Sequence, residues 1–381
     1  MTETILGQFG VHGVQAHRDW PALTLEEAQA VLSHYDLSGL PSRIDWHSAR
    51  PFSAAGLAYW EDGRQIFIKR HHNAVRDVET LTEEHRYIAY LHERREPVAL
   101  PLTMANGATA YAAGEWTYEV FEPAQGVDLY RERMSWEPFF QARHAGMAGA
   151  ALARLHLASE GYDAPTRHGR LLVSSMDAVG QTDLMAGLRR WVPTQSGLAE
   201  QIAAHDWERN ARTTLEPFHK RLAPLLPKVR PCWGHGDWHA SNLLWTVEDN
   251  AAQVAQIVDF GMADRTCAPF DLAVTIERNV IAWLALDSST PVAYDQLEAL
   301  LRGYQQIRRL NMSERALLTA FLPLVHVEFA LSEVAYFGAL LHDKASAQVA
   351  YDNYLLGHAQ WFAGPDGHEL LTWLEDFLMR A

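Results

Sequence analysis

The sequence predicts an α+β fold of two lobes, a β-rich lobe over residues 40–122 and a mostly helical lobe over residues 123–381. Three observations predict it. Apolar residues alternate with period two through the first third of the chain. Pro123-Ala124-Gln125-Gly126 then breaks the pattern. Beyond that break apolar residues recur at helical spacing. A chain of 381 residues, 48% of them hydrophobic, can bury the cores of two lobes. Residues 1–39 read as an N-terminal extension with a short helix.

The elements follow in order. Thr24-Leu25-Glu26-Glu27 is a capping box, with Leu25, Ala28 and Leu32 as the apolar stripe behind it. Ile44 to His47 alternates like a strand. Gly56 to Trp60 and Gln65 to Arg70 flank Asp62-Gly63, the signal of a tight hairpin. Thr80-Leu81-Thr82-Glu83 reads as a second capping box, opening a helix that runs to about Glu93. Ala108 to Ala112 and Glu115 to Phe121 give two more strands. In the second lobe, Phe139 to Leu157 is an Ala-rich helix whose Gly146 and Gly149 permit close packing. Asp183 to Val192, Glu200 to Leu222 with a break at Pro217, Thr290 to Ile307, Ser313 to Leu341 and Ala345 to Trp361 are also predicted helical.

The net charge of −15 argues against nucleic acid or an anionic membrane as partner, and suits a cationic substrate. Two cysteines, Cys232 and Cys267, make no disulfide framework and point to a reducing compartment. Met1 to Asp19 has no basic segment leading into an apolar one. The most apolar stretch, Leu317 to Leu341, contains Pro323, His326, Glu328, Ser332 and Glu333, which suits a buried helix better than a membrane span. A soluble cytoplasmic protein is expected.

The chemistry concentrates in His235-Gly236-Asp237-Trp238-His239-Ala240-Ser241-Asn242 and, seventeen residues after Asn242, Asp259-Phe260-Gly261. Phosphoryl transfer needs an oriented hydroxyl, a carboxylate for its proton and cations on the phosphates. Asp237 is the candidate carboxylate. Asn242 and Asp259 offer the hard oxygens that Mg2+ prefers. Singly, each could merely cap a turn; the spacing of all three favours catalysis. His235 and His239 are four apart, but Gly236 makes the segment a loop, so His235 is expected to hold that loop by a hydrogen bond rather than bind zinc. Lys occurs only at positions 69, 220, 228 and 344. Lys69 shares a strand face with Phe67, where it could reach phosphates while Phe67 packs near a base. Glu84, in register with Ile88 and Leu91, faces inward and wants a cation. No GxxxxGK[ST] run is present; the turn Pro51-Phe52-Ser53-Ala54-Ala55-Gly56 is the candidate phosphate cover, with Ser53 facing the nucleotide.

The catalytic segment resembles the aminoglycoside phosphotransferase and choline kinase-like family, a small-molecule branch of the protein-kinase-like fold. The resemblance rests on His235-Gly236-Asp237 with Asn242, on Asp259-Phe260-Gly261 and on Phe270-Asp271-Leu272-Ala273, and spans residues 40 to 340. Lys69, Glu84 and the Ala151-to-His156 segment extend it, and Arg302-Gly303-Tyr304 is similar to the bacterial homoserine kinase-type branch. It implies ATP and Mg2+ as cofactors, Asp237 as base, Asn242 and Asp259 as metal ligands, and Lys69 on phosphate, paired with Glu84. It also implies adenine held by the backbone of Glu122 and Ala124, Asp128 near the ribose, and Asp271 bracing the loop. Gly236, where protein kinases have Arg, and the lack of an Ala-Pro-Glu element favour a small acceptor over a protein.

The acceptor pocket is expected in the helical lobe, with Glu277, Asn279, Trp283 and Glu328 as candidates, Arg278 between the first two and Glu333 beside them. The reaction so implied moves the γ-phosphoryl group of ATP to a hydroxyl of a small polar metabolite or antibiotic. The alternatives are a protein Ser/Thr kinase of the stress-response type and a non-catalytic nucleotide-binding relative.

Overall fold

The computed structural model describes residues 19–48, 51–133, 135–247 and 251–380; the first 18 residues of the predicted N-terminal extension therefore lie outside the described residues. The first lobe is a five-stranded antiparallel sheet of order β1-β2-β3-β5-β4. Its strands are β1 (Arg43–His47), β2 (Ala54–Tyr59), β3 (Gln65–His72), β4 (Ala110–Ala113) and β5 (Trp116–Phe121). Gly63, at φ +89°, closes the β2–β3 hairpin where Asp62-Gly63 predicts it. Helix α1 (Leu25–Leu32) begins with the predicted capping box, Thr24 and Glu27 each accepting from the other's backbone. It buries Ala28, Val31 and Leu32 against Ala58, Ile66, Ile68 and Val120 of the sheet, since an isolated amphipathic helix this short needs such a surface to persist.

Helix α2 (Val78–Glu93) lies between β3 and β4 in sequence. Its start departs from expectation. Asp77, in extended conformation, accepts from Thr80 N at 2.8 Å, so Asp77 is the cap and Thr80 lies inside the helix. Asp and Thr cap helices for the same reason, and the earlier of the two prevails. Glu83 is consequently no capping residue; it accepts from His168 N at 2.9 Å. Tyr87, Ile88 and Leu91 of α2 join the core of the second lobe.

That lobe opens with α3 (Ala142–Ala158), followed by α4 (Leu184–Trp191), α5 (Leu198–Ile202), α6 (Trp207–Thr214) and α7 (Glu216–Leu222). The predicted single helix over Glu200 to Leu222 is three short ones, and Pro217 sits in the first turn of the last, where its missing N–H costs nothing. Four short strands come next: β6 (Cys232–Gly234), β7 (Leu243–Trp245), β8 (Val254–Ile257) and β9 (Asp264–Thr266). Helices α8 (Ala268–Asn279), α9 (Tyr294–Ile307), α10 (Met312–Phe321), α11 (Val327–Ala335), α12 (Lys344–Val349), α13 (His358–Ala363) and α14 (Pro365–Arg380) complete the lobe. Pro323 lies in a tight turn between α10 and α11, so the predicted Ser313–Leu341 helix is divided. The Met312–Leu340 run is apolar and long enough to cross a membrane, but 94% of its most apolar window is packed inside the protein.

Glycines set the packing of α3 on α9. A Cβ at Gly149 would lie 2.1 Å from Leu300 O, and one at Gly303 would lie 2.0 Å from Gly146 O. The two backbones thus touch, as the spacing of Gly146 and Gly149 predicts. The lobes are joined by chain as well as by packing. Asp19 Oδ2 accepts from Phe52 N at 3.2 Å and from the Tyr336 hydroxyl at 2.9 Å. The Phe52 ring, at the tip of the β1–β2 turn, packs edge-on to Tyr336.

Candidate active site

Two small ribbons bring the catalytic motifs together. β6 pairs with β9 and β7 with β8, so the 235–242 and 258–263 loops leave adjacent strand ends. Two bonds tie the loops: Val258 N donates to Asn242 O at 3.1 Å, and His235 Nε2 donates to Val258 O at 3.1 Å. His235 therefore holds the loop as its place in the motif predicts. His239 Nε2 faces Asp237 Oδ2 at 3.3 Å.

Asp271, fully buried at the start of α8, accepts from His235 N and Gly236 N, each at 2.8 Å. His156 of α3 lies 3.0 Å from the same carboxylate and 2.7 Å from the Tyr304 hydroxyl. A buried acid with several donors is held ionised, and its pKa is lowered: burial opposes the charge, and the hydrogen bond from His156 leads the groups that outweigh it. Asn279, eight residues on, accepts from Ala240 N at 2.9 Å and donates to Trp238 O at 2.8 Å. Both residues brace the loop.

Gly236 has a backbone reason. It adopts φ +75°, and a Cβ there would meet Met262 O at 2.3 Å. The close approach of the two loops excludes any side chain at this position, whatever the acceptor.

Asp237 receives Asn242 Nδ2 on Oδ2 at 3.1 Å and on its backbone carbonyl at 2.9 Å. The Asn242 NH2 is thus engaged, leaving its Oδ1 for a cation. Asp237 Oδ1 is buried without a hydrogen bond among the described residues, 3.6 Å from Arg278 Nη2. Burial works against the Asp237 charge, but His239 and Arg278 hold the carboxyl well below the usual range. It stays ionised at neutral pH, as a proton acceptor must.

Lys69 of β3 donates to Asp259 Oδ1 at 2.8 Å. Burial of Lys69 favours its neutral form, and Asp259, Glu119 and Glu84, in that order, reverse this and keep it charged. Burial likewise raises the Asp259 pKa and Lys69 brings it below normal. Asp259 remains 45% exposed, so it can turn to a metal ion. The expected Lys69–Glu84 pair is absent: Glu84 Oε2 bonds Arg167 Nη2 at 3.0 Å instead. The acid beside Lys69 on the sheet is Glu119, its cross-strand partner on β5, clasped by His71 and His85 at 2.9 and 2.8 Å.

On the sheet face carrying Lys69, Trp46, Leu57, Phe67 and Phe121 form a cross-strand row, each opposite the next. All four keep some exposure at the cleft. Glu122 and Ala124 follow, both exposed, before Gln125 N bonds Gln256 Oε1 at 2.6 Å and the chain enters the second lobe. Asp128 is exposed just beyond. Ser53 is half-buried in the turn after Phe52.

Beside Asp237 lies a cluster of buried polar groups packed among aromatic rings. Arg278 is 6% exposed, with its guanidinium 4.1 Å over Trp136 and 5.2 Å from Phe329. Its Nε is buried without a hydrogen bond among the described residues. Glu333 on α11 has a pKa raised to about 8, chiefly by burial, with Arg278 opposing and Asp19 and Asp237 adding to the rise. Glu277, also raised to about 8 by burial, lies 2.8 Å from His358. Trp283 stacks on His358 with ring centroids 3.5 Å apart and is wholly buried. Glu328 accepts from Ser175 and from three backbone N–H groups over Asp177 to Val179.

Residues 54–310 match the profile of the phosphotransferase enzyme family. The chain belongs to that family. It is 25% identical over 318 residues to a homoserine kinase of Caulobacter vibrioides (strain NA1000 / CB15N), an alignment covering 83% of this chain and 89% of the relative. An aminoglycoside phosphotransferase from Alicyclobacillus acidocaldarius subsp. acidocaldarius DSM 446 shares the fold at TM-score 0.52 and 17% identity, over 95% of this chain and 98% of its own. An amicoumacin kinase in complex with AMP-PNP and Ca2+ does so at TM-score 0.54 and 15% identity, over 86% and 92%. The fold is protein-kinase-like, and the activity is ATP-dependent transfer of a phosphoryl group to a small-molecule hydroxyl.

In this phosphotransferase, then, the structure gathers Asp237, Asn242, Asp259 and Lys69 at one cleft. It gives Asn279, Trp283 and Glu328 internal contacts. Glu119 and Arg167 were not singled out by sequence, whereas Arg278 was named with Glu277 and Asn279. Only Glu119 had a usable signal, its alternation with Phe121 opposite Lys69 and Phe67.

Proposed function

We propose that this kinase phosphorylates the side-chain hydroxyl of a small amino acid. The observation that carries the proposal is the pairing of Arg278 and Glu333 beside Asp237. The nearly buried guanidinium lies 3.6 Å from Asp237 Oδ1 and 3.9 Å from Glu277 Oε2 but hydrogen-bonds neither, so its Nε donor is left unfilled at a cost. A ligand carboxylate would satisfy it in a forked geometry. Glu333, whose side chain has no hydrogen bond or ion pair among the described residues, is held largely neutral by burial and would ionise beside an ammonium, which favours its charged form. A zwitterion with a hydroxyl arm meets both and leaves that arm toward Asp237. The homoserine kinase relative supports this reading.

The chain's own groups then divide the work. Lys69 moves from Asp259 to the phosphates of ATP, and the exposed backbone of Glu122 and Ala124 meets the adenine over the Phe67 row, with Asp128 near the ribose. Asn242 Oδ1 and Asp259, at the end of one ribbon, suit Mg2+, which takes few protein oxygens and keeps water and phosphate ligands. The ion would neutralise charge on the transferring group. Asp237 orients the acceptor hydroxyl and takes its proton as the bond to phosphorus forms and ADP leaves.

An ADP-release assay with L-homoserine, choline, ethanolamine and an aminoglycoside tests the acceptor class. Turnover is expected with the amino acid alone. Arg278→Met is expected to raise its KM about 10- to 100-fold, the loss of a charge-assisted hydrogen bond worth about 1.5–3 kcal/mol. Turnover of choline or the aminoglycoside, with an unaltered KM in Arg278→Met, would overturn the proposal.

A further inference from the structure

The carbonyl of Gly261 is the meeting point of two buried guanidiniums. Arg76 Nη2 donates to it at 2.5 Å and Arg167 Nη1 at 2.9 Å. Arg76 is 3% exposed and Arg167 is 2%. Among the described residues, Arg76 otherwise donates only to the carbonyls of Val75, Leu171 and Leu172, at 2.7, 2.6 and 2.7 Å. Arg167 donates also to Ala263 O, Thr80 O and Glu84 Oε2, at 3.3, 3.0 and 3.0 Å. One side chain thus links helix α2 to the turn that carries Asp259.

The arrangement is expensive. Burial, and next the charge of Arg167, pull the Arg76 pKa down to about 9. Arg76, a buried cation with no bonded acid among the described residues, is costly to keep charged. What they hold is a strained element. Asp259 sits at φ +62°, a left-handed conformation that is unfavourable for a residue other than glycine and persists where surroundings over-determine it. Gly261 N approaches Asp259 Oδ1 at 3.4 Å, so anchoring Gly261 through its carbonyl also limits where the N–H that meets the carboxylate can lie.

We propose that Arg76 and Arg167 are positioning residues for the metal-binding carboxylate of Asp259, and that Glu84, by orienting Arg167, makes helix α2 a support of the metal site rather than a partner of Lys69. Lys69 is thereby left to the phosphates, with Glu119 as its neighbour on the sheet. The inference rests on Asp259 being a metal ligand.

The test is Mn2+ binding to the full-length protein with a non-hydrolysable ATP analogue, read from free Mn2+ by electron paramagnetic resonance. It is run beside kcat, the acceptor KM and the thermal midpoint. Arg167→Lys keeps the charge but cannot reach all four acceptors at once. It is expected to weaken Mn2+ about 10- to 100-fold, as loss of a residue that orients a ligand does, and to lower kcat with the acceptor KM unchanged. Glu84→Gln is expected to move both in the same direction by less. Mn2+ affinity within about twofold of the original in both variants, each still folded, would overturn the inference. Should Arg167→Lys not fold, Arg76→Lys is read by the same criterion. Asp259→Asn separates the two readings: if it too binds Mn2+ normally, the assignment of the metal ligand fails; if it alone is impaired, only the support by the arginines fails.

Discussion

Asp237→Asn is expected to lower kcat by about 10²- to 10⁴-fold, the range for removing a general base, or about 3–5 kcal/mol of transition-state stabilisation. The substitution keeps the volume and the contacts of Asn242 and His239 but removes the charge that faces Arg278. ATP binding should change little, because Lys69, Asp259 and the Phe67 row remain. A steady-state assay with circular dichroism as the folding control separates the outcomes. A folded variant within tenfold of the original kcat would mean that the proton leaves by another route. The lower end of the range is the better guide if the transition state is loose, since little proton transfer then accompanies phosphoryl transfer.

Asp271→Ala is expected to be the most damaging single change to stability, at about 3–5 kcal/mol, the cost of breaking a buried pair by removing one partner. It strands His235 N and Gly236 N, which lie away from water, and frees His156 from its acid. The thermal midpoint should fall by roughly 5–10 °C. Activity should fall further than stability explains, because Gly236 at φ +75° would lose the carboxylate that holds it. Thermal unfolding and kcat measured below the new midpoint check both. A midpoint within 2 °C or so of the original would show that water replaces the carboxylate.

Much of this site was legible before any coordinates. The spacing of Asp237, Asn242 and Asp259 encodes two loops on adjacent ribbons, and the loop sequence carries the chemistry locally. The Asp62-Gly63 hairpin and the Thr24 capping box are equally local and appear as read. What failed was partner choice over long range. Glu84 points inward as its helical register requires, but its cation is Arg167, 83 residues away, and no periodicity predicts which arginine arrives. The same holds for Glu328 and Glu333. Both interrupt an apolar helix, yet one caps the backbone at Asp177–Val179 and the other faces Arg278. Gly236, standing where protein kinases have Arg, pointed to a small acceptor; the approach of Met262 O gives that glycine a backbone reason that sequence did not show. At Thr80 two capping residues competed three positions apart, and sequence gave no rule for choosing between them.

The central claim is that this cleft moves phosphate to a small amino acid's hydroxyl through Asp237. Rapid quench of the full-length protein with γ-labelled ATP and L-homoserine, with every labelled product identified, tests it most directly. The label is expected in an acid-stable phosphate monoester of the amino acid, forming in the first turnover and falling at least about 100-fold in Asp237→Asn. Label appearing on protein, or only in inorganic phosphate, would contradict the account.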